Sequence, residues 1–175
     1  KGNKMRKIQI IGYGVELPEN TVSFNGQTRY RISGEENQIS LAVSACEKAL
    51  ENTGIKIDDI DCIVSASAVG IQPIPCTAAL IHERIAKGTS IPALDINTTC
   101  TSFMTAMDTM SYLVEAGRYK RVLIVSCDVA SIALNPKQKE SFRLFSDGAA
   151  AFIIEKTEKE TGVIDAMQKT WSEGA

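Results

Sequence analysis

An α/β domain on a mostly parallel, five-stranded sheet with helices on both faces is the fold class this sequence predicts. Three observations predict it. Apolar strand-like runs alternate with stretches of helical period from residue 7 to residue 155, the order expected of a parallel-sheet domain. The runs are apolar at nearly every position, as in Val122-Leu123-Ile124-Val125, which suits strands covered on both sides. The helical stretches stop at glycines, namely Gly54, Gly88 and Gly117, the residue that best tolerates the left-handed helix end.

Residues 7–11 form the first strand. Residues 35–53 form a helix, because Ile39, Ala42, Val43, Cys46, Ala49 and Leu50 recur at helical spacing. A second strand spans 62–66, a helix 77–87, a short third strand 92–96 and a third helix 101–116. The fourth strand spans 121–127, the fifth 149–155, and 162–169 is a candidate sixth. No helix separates the fourth and fifth strands, which leaves that pair open to an antiparallel arrangement. The pattern is βαβαβαββ. In the third helix Phe103, Met104, Ala106, Met107, Met110, Leu113 and Val114 leave few polar positions before Glu115. A helix apolar nearly all round is a buried one.

A length of 175 residues fits one domain, 1–175, with a real core. Hydrophobic content of 44% and charged content of 23% are ordinary for a soluble globular chain, and a formal net charge of −2 gives no footprint for nucleic acid. No apolar run reaches the length of a membrane span. The basic start, Lys1-Gly2-Asn3-Lys4-Met5-Arg6-Lys7, leads into a strand broken by glycines and not into a signal-peptide core. The default location is therefore the cytoplasm.

The five cysteines are Cys46, Cys62, Cys76, Cys100 and Cys127, and the one histidine is His82. Without a Cys-x-x-Cys pair, neither a metal site nor a disulfide framework is indicated. Cys46 sits in a helical pattern, Cys62 and Cys127 in apolar strands, and Cys76 at a helix start. Cys100 lies in Asp95-Ile96-Asn97-Thr98-Thr99-Cys100-Thr101-Ser102-Phe103, at a turn from strand to helix. Amide groups and the macrodipole at a helix start favour thiolate over thiol. On the residues alone, Cys100 is either a nucleophile or a buried structural thiol. As a nucleophile at the head of a buried helix it would occupy the floor of a pocket for a long, partly apolar substrate.

Three other motifs read more simply. Gly12-x-Gly14 lacks the third glycine of a nucleotide fingerprint, and Leu17-Pro18 stands where the helix would begin; a pair of turn glycines accounts for it. His82 belongs to the solvated side of a helix beside Glu83 and Arg84. Ser146-Asp147-Gly148 reads as a tight turn before small strand residues, and spacing alone gives Asp147 no catalytic role.

Three segments together resemble the β-ketoacyl-acyl-carrier-protein synthase III family of the thiolase superfamily. They are Ile10-Ile11-Gly12-Tyr13-Gly14-Val15-Glu16-Leu17-Pro18-Glu19, the Cys100 segment quoted above, and Leu144-Phe145-Ser146-Asp147-Gly148-Ala149-Ala150-Ala151. Order and spacing agree from Ile55 onward. The resemblance implies a thiolase-like half: the family stacks two βαβαβαββ units into five αβαβα layers, and this chain corresponds to the N-terminal one. It implies that the chain is a piece of a longer protein, since the family's catalytic histidine and asparagine lie in the second half.

The same resemblance implies that Cys100 takes an acyl group from acyl-CoA or acyl-ACP and passes it to malonyl-ACP by decarboxylative Claisen condensation, with no permanently bound cofactor. It assigns Phe145, Ala130 and Ala68 to the acyl tunnel and Ile74 to a residue reaching into a neighbouring subunit. The implied partners are an acyl carrier protein and a second copy of the chain. Small residues at Ala68 and Ala130 imply room for longer or branched primers.

Two departures stand out. The family follows its cysteine with Ser-Gly or Ala-Gly, where this chain has Thr101-Ser102. Its coenzyme A-binding stretch is replaced by residues 20–33, which lack tryptophan and read as a solvated basic loop with Arg29 and Arg31. That favours an acyl carrier protein as primer donor. The alternatives are another thiolase-superfamily enzyme, such as hydroxymethylglutaryl-CoA synthase or a long-chain head-to-head condensing enzyme, a non-catalytic partner subunit of the same fold, and a purely structural α/β domain.

Overall fold

Seven strands and four α-helices make up the computed structural model, which describes residues 5–173. The strands are β1 (Ile8–Glu16), β2 (Thr21–Phe24), β3 (Gln27–Tyr30), β4 (Cys62–Ser65), β5 (Ala93–Asp95), β6 (Arg121–Asp128) and β7 (Gly148–Lys156). The helices are α1 (Gln38–Thr53), α2 (Thr77–Ile85), α3 (Ser102–Glu115) and α4 (Lys139–Leu144). The first four and last two residues lie outside the described residues, so the domain bounds 1–175 reach past them at both ends.

The main sheet has five strands in the order β1-β7-β6-β4-β5. β4 pairs in parallel with β5 and with β6, while β7 is antiparallel to both β6 and β1. Four strands therefore run one way and β7 alone opposes them. The open choice for the fourth and fifth strands resolves as antiparallel. A helix does separate them, contrary to expectation: α4, a six-residue helix in a polar stretch, lies between β6 and β7, but it does not cross the sheet, and the chain returns to the end it left.

Each sheet face buries its own core. Leu123 and Val125 of β6 face one side, with Ile63, Ile153 and the helices α1 and α2. Val122 and Ile124 face the other, with Val64, Ile154 and Ala106, Met110 and Val114 of α3. This is the two-residue period of a strand, and both faces are covered as the apolar runs required. Each fully buried Ile or Leu contributes roughly 1.5–3 kcal/mol. Cys46, Cys62 and Cys127 are buried in these cores, as their patterns indicated.

α1 starts three residues later than its periodicity suggests, because Asn37 caps it. The Asn37 side chain accepts from the amides of Ile39 and Ser40, and Ser40 returns the bond to the Asn37 amide. Gly54, at φ 68°, ends it. Gly12 and Gly14 are not turn residues. They lie inside β1, where α1 passes so close that a Cβ on Gly14 would sit 2.2 Å from the Ala45 carbonyl oxygen.

Four other expectations change. Residues 20–33 are mostly not a loop but a hairpin, β2–β3, turned at Asn25-Gly26 with φ of 52° and 78°, a favoured hairpin dipeptide. The candidate sixth strand reduces to one bridge between Val163 and Arg6, and Ile164 and Met167 beyond it are exposed. α3 is buried on one side only: Met104 and Tyr112 are exposed, since the described residues supply no layer beyond them. His82 is half-buried and meets the Thr89 hydroxyl at 3.2 Å. α3 is also anchored to the start of the sheet. Buried Arg6 pairs with Asp108, donates to Ser111 Oγ at 2.6 Å and stacks on Tyr112.

Candidate active site

Parallel strands β4, β5 and β6 end at one edge of the sheet, the edge where open α/β sheets hold their ligands. Ala68 follows β4, Cys100 follows β5 and Ala130 follows β6. β7 begins there too, with Gly148 opposite Asp128, which brings Phe145 and Asp147 to the same edge. Five residues far apart in sequence thus share one end of the fold.

The turn carrying Cys100 is held by side chains on either side of it. Thr99 has φ 56°, a left-handed conformation that costs a β-branched residue roughly 1–3 kcal/mol. Asn97 Oδ1 accepts the Thr99 amide at 2.8 Å, and Asn97 Nδ2 donates to the Ala68 carbonyl at 2.9 Å. Ser102 Oγ donates to the Thr99 carbonyl at 2.6 Å and accepts the Thr98 amide at 2.9 Å. The Thr101 hydroxyl donates to the Thr98 carbonyl at 2.8 Å, and the Thr98 and Thr105 hydroxyls meet at 2.7 Å.

Cys100 is exposed, immediately ahead of the N-cap Thr101 of α3. This corrects the expectation of a thiol at the floor of a pocket. Two grooves lie elsewhere and do not include it. One, of about 920 Å³, runs along α4 from Lys137 to Leu144. The other, of about 560 Å³, lies between Ile8, Met107 and Val163.

The other thiols sort by environment. Burial pushes the Cys62 thiol up to about 11 and the Cys127 thiol up to about 12. Burial raises Cys46 further still. These three are held as neutral thiols at physiological pH. Cys76 is the N-cap of α2, but the Asp95 carboxylate already takes that helix's first amides, from Thr77 at 2.9 Å and Ala78 at 2.7 Å. The anion-favouring end of α2 is filled. At α3 the residue ahead of the N-cap is Cys100 itself.

The positions matched to the acyl tunnel are not all assembled. Ala68 and Ala130 are half-buried, and Phe145 is 42% exposed. Ile74, 85% exposed, stands out on the loop between β4 and α2. The Ala68 amide is fixed by Asp128 Oδ1 at 2.8 Å.

The sequence reading missed the two groups that hold this wall. Asp147, only 1% exposed, accepts the amides of Ile32 and Ser131, each at 2.9 Å, and the Ser131 hydroxyl. It ties the segment beside Ala130 to the end of the hairpin. Arg31 is buried, not solvated, and donates to the carbonyls of Phe145 at 2.6 Å and Phe142 at 2.8 Å. Arg29 likewise binds the Arg143 and Leu144 carbonyls. Both arginines close the end of α4, whose last carbonyls have no helical partner. The clue available in sequence was a lone aspartate between small residues and two arginines two apart.

Among the described residues, no group of three His, Cys, Asp or Glu side chains is placed to hold a metal. No helix among them is long and apolar enough to cross a membrane.

A five-stranded mixed sheet, covered on both faces and carrying a cysteine turn at the head of α3, defines a thiolase-like half. The sequence profile of the 3-oxoacyl-[acyl-carrier-protein (ACP)] synthase III family matches residues 94–171. The chain is 32% identical over 176 residues to β-ketoacyl-[acyl-carrier-protein] synthase III of Clostridium perfringens strain SM101, covering 91% of this chain and 54% of that protein. It is 32% identical over 179 residues to the Clostridium acetobutylicum protein of the same name, covering 93% and 54%. The crystal structure of 3-oxoacyl-[acyl-carrier-protein] synthase III from Aquifex aeolicus VF5 shares the fold, with a TM-score of 0.82, 24% identity, and coverage of 87% and 55%. Over nine tenths of its length the chain is similar to members of the β-ketoacyl-acyl-carrier-protein synthase III family, and it spans about half the length of the curated relatives it matches.

Proposed function

We propose that this chain, over its whole length 1–175, is the N-terminal half of an acyl-condensing transferase whose nucleophile is Cys100. The observation that carries the reading is the Cys100 turn: an accessible thiol directly ahead of α3, on a loop held by Asn97 and Ser102 at the ligand edge of the sheet. The Cys100 thiolate adds to the carbonyl carbon of an acyl thioester. The tetrahedral oxyanion collapses, the carrier thiolate leaves and takes up a proton, and the acyl group stays on sulfur. Malonyl thioester then loses carbon dioxide, and its enolate carbon attacks the Cys100 thioester. A 3-oxoacyl thioester forms and the Cys100 thiolate is released.

The Cys100 amide is the candidate donor to the oxyanion from this chain. The groups that stabilise the enolate belong to the second half of the family's enzymes, so this chain alone accepts an acyl group without condensing it. Phe145, Ala130 and Ala68 wall the acyl chain, and Ile74 reaches a second copy in a homodimer. The acyl carrier protein delivers malonyl and, with Arg29 and Arg31 engaged by α4 carbonyls, the primer as well. No cofactor is held permanently, and the reaction belongs to fatty-acid or polyketide-like synthesis in the cytoplasm.

Incubating the intact protein with malonyl-ACP and a ladder of acyl thioesters tests this reading. The expected result is a 3-oxoacyl-ACP product for longer or branched primers. Absence of product with every primer, although Cys100 is intact and accessible, contradicts it.

A further inference from the structure

Ser102 opens α3, and its hydroxyl holds the turn that carries Cys100. The side chain is 1% exposed, and its one proton goes to the Thr99 carbonyl oxygen at 2.6 Å. Its oxygen takes the Thr98 amide at 2.9 Å, and the Ser102 amide also donates to the Thr99 carbonyl at 3.1 Å. The Thr99 carbonyl and the Cys100 amide belong to one peptide unit. That unit is trans, since the cis bond among the described residues is Ile74–Pro75. A trans peptide is planar, with its N–H pointing opposite to its C=O. Fixing the Thr99 oxygen inward therefore fixes the Cys100 N–H outward. Asn97 holds the preceding peptide plane, through the Thr99 amide at 2.8 Å.

We infer that Ser102 is a positioning residue: its buried hydroxyl aims the Cys100 N–H at the site where an acyl oxyanion forms. The inference rests on the acyl-transfer reading above. Thr101-Ser102 then forms a hydroxyl clamp that supplies the rigidity of the turn. The effect on chemistry is specific. Acylation of Cys100 passes through an oxyanion and needs the amide aimed. Alkylation by iodoacetamide displaces iodide at carbon and forms no oxyanion.

The two reactions separate the roles. In Ser102→Ala of the intact protein, acylation of Cys100 by a thioester is expected to slow by roughly 10- to 100-fold. Its rate of alkylation by iodoacetamide and the pH profile of that rate are expected to stay as in the wild type. Asn97→Ala, at an exposed position, is expected to act in the same direction and serves if Ser102→Ala does not fold. Equal acylation rates in wild type and variant overturn the inference, as does a parallel loss of acylation and alkylation. A wild-type protein that is alkylated at Cys100 yet never acylated removes the acyl-transfer reading itself, and this inference with it.

Discussion

The Asp95 carboxylate, on a strand, caps a helix 17 residues earlier in the chain: it accepts the amides of Thr77 and Ala78 at 2.9 and 2.7 Å. Asp95 ends β5, the strand that leads to Cys100. One side chain thus locks the loop bearing Ile74 to the strand bearing the thiol turn, and it occupies the amides that would otherwise face Cys76. Asp95→Ala should destabilise the fold by about 1–2 kcal/mol, the usual loss for a removed cap, measured by urea unfolding. It should also raise the alkylation rate of Cys76. An unchanged Cys76 rate would mean that the carboxylate does not shield that thiol.

Asp147 is the second anchor. Asp147→Asn keeps one acceptor oxygen and sets an NH2 against the donors at the other, which are either the Ile32 amide with the Ser131 hydroxyl or the Ser131 amide. Leaving one such amide unpaired costs about 1–3 kcal/mol, and a loss of that size is expected. Hydrogen exchange should show the Ile32 or the Ser131 amide losing protection first. Uniform loss across the sheet would place the role of Asp147 elsewhere.

Glycines in β1 and in the hairpin turn should behave differently. Gly14→Ala would put its Cβ 2.2 Å from the Ala45 carbonyl oxygen and 2.6 Å from the Ala49 amide nitrogen, both backbone atoms of α1. The helix would have to move off the sheet, and a loss of more than about 3 kcal/mol is expected. Gly26→Ala meets open space and only the strain of φ 78°, about 1 kcal/mol. Thermal unfolding of the two variants compares them directly.

Alkaline pH should weaken the fold through its buried thiols. Cys62 and Cys127 titrate at about 11 and about 12 in the folded chain, against roughly 8.5 for a free thiol. Above that lower value the unfolded chain has lost protons that the folded chain retains, so stability falls as pH rises. The loss runs from about pH 8.5 towards 12. Cys127→Ala should flatten the slope of urea midpoint against pH between 8.5 and 10. An equal slope in the variant would show that other groups dominate.

The element order was legible in sequence because burial on both faces leaves an unmistakable apolar signature. β6 illustrates it: Val122, Leu123, Ile124 and Val125 are all fully buried, in two different cores. Helix ends were legible where a glycine marks them, and less so at Asn37, where the cap lies inside a polar stretch. The hairpin at residues 21–30 was not legible, since its strands alternate polar with half-buried residues and shield little. The depth of α3 was misread because an apolar outer side states only that something covers it, not that this chain does. Asp147 and Arg31 escaped because a charged side chain saturated by backbone groups from distant segments looks, in one dimension, like any surface charge.

The central claim is that Cys100, and not Cys76 or a buried thiol, carries the acyl group. Peptide mapping by mass spectrometry after incubation with an acyl thioester at neutral pH tests it most directly. The account predicts one acyl adduct, on the peptide containing Cys100, lost in Cys100→Ser and returned to the free thiol by hydroxylamine. An adduct on Cys76, or the same acyl mass on the Cys100→Ser protein through another cysteine, would contradict it.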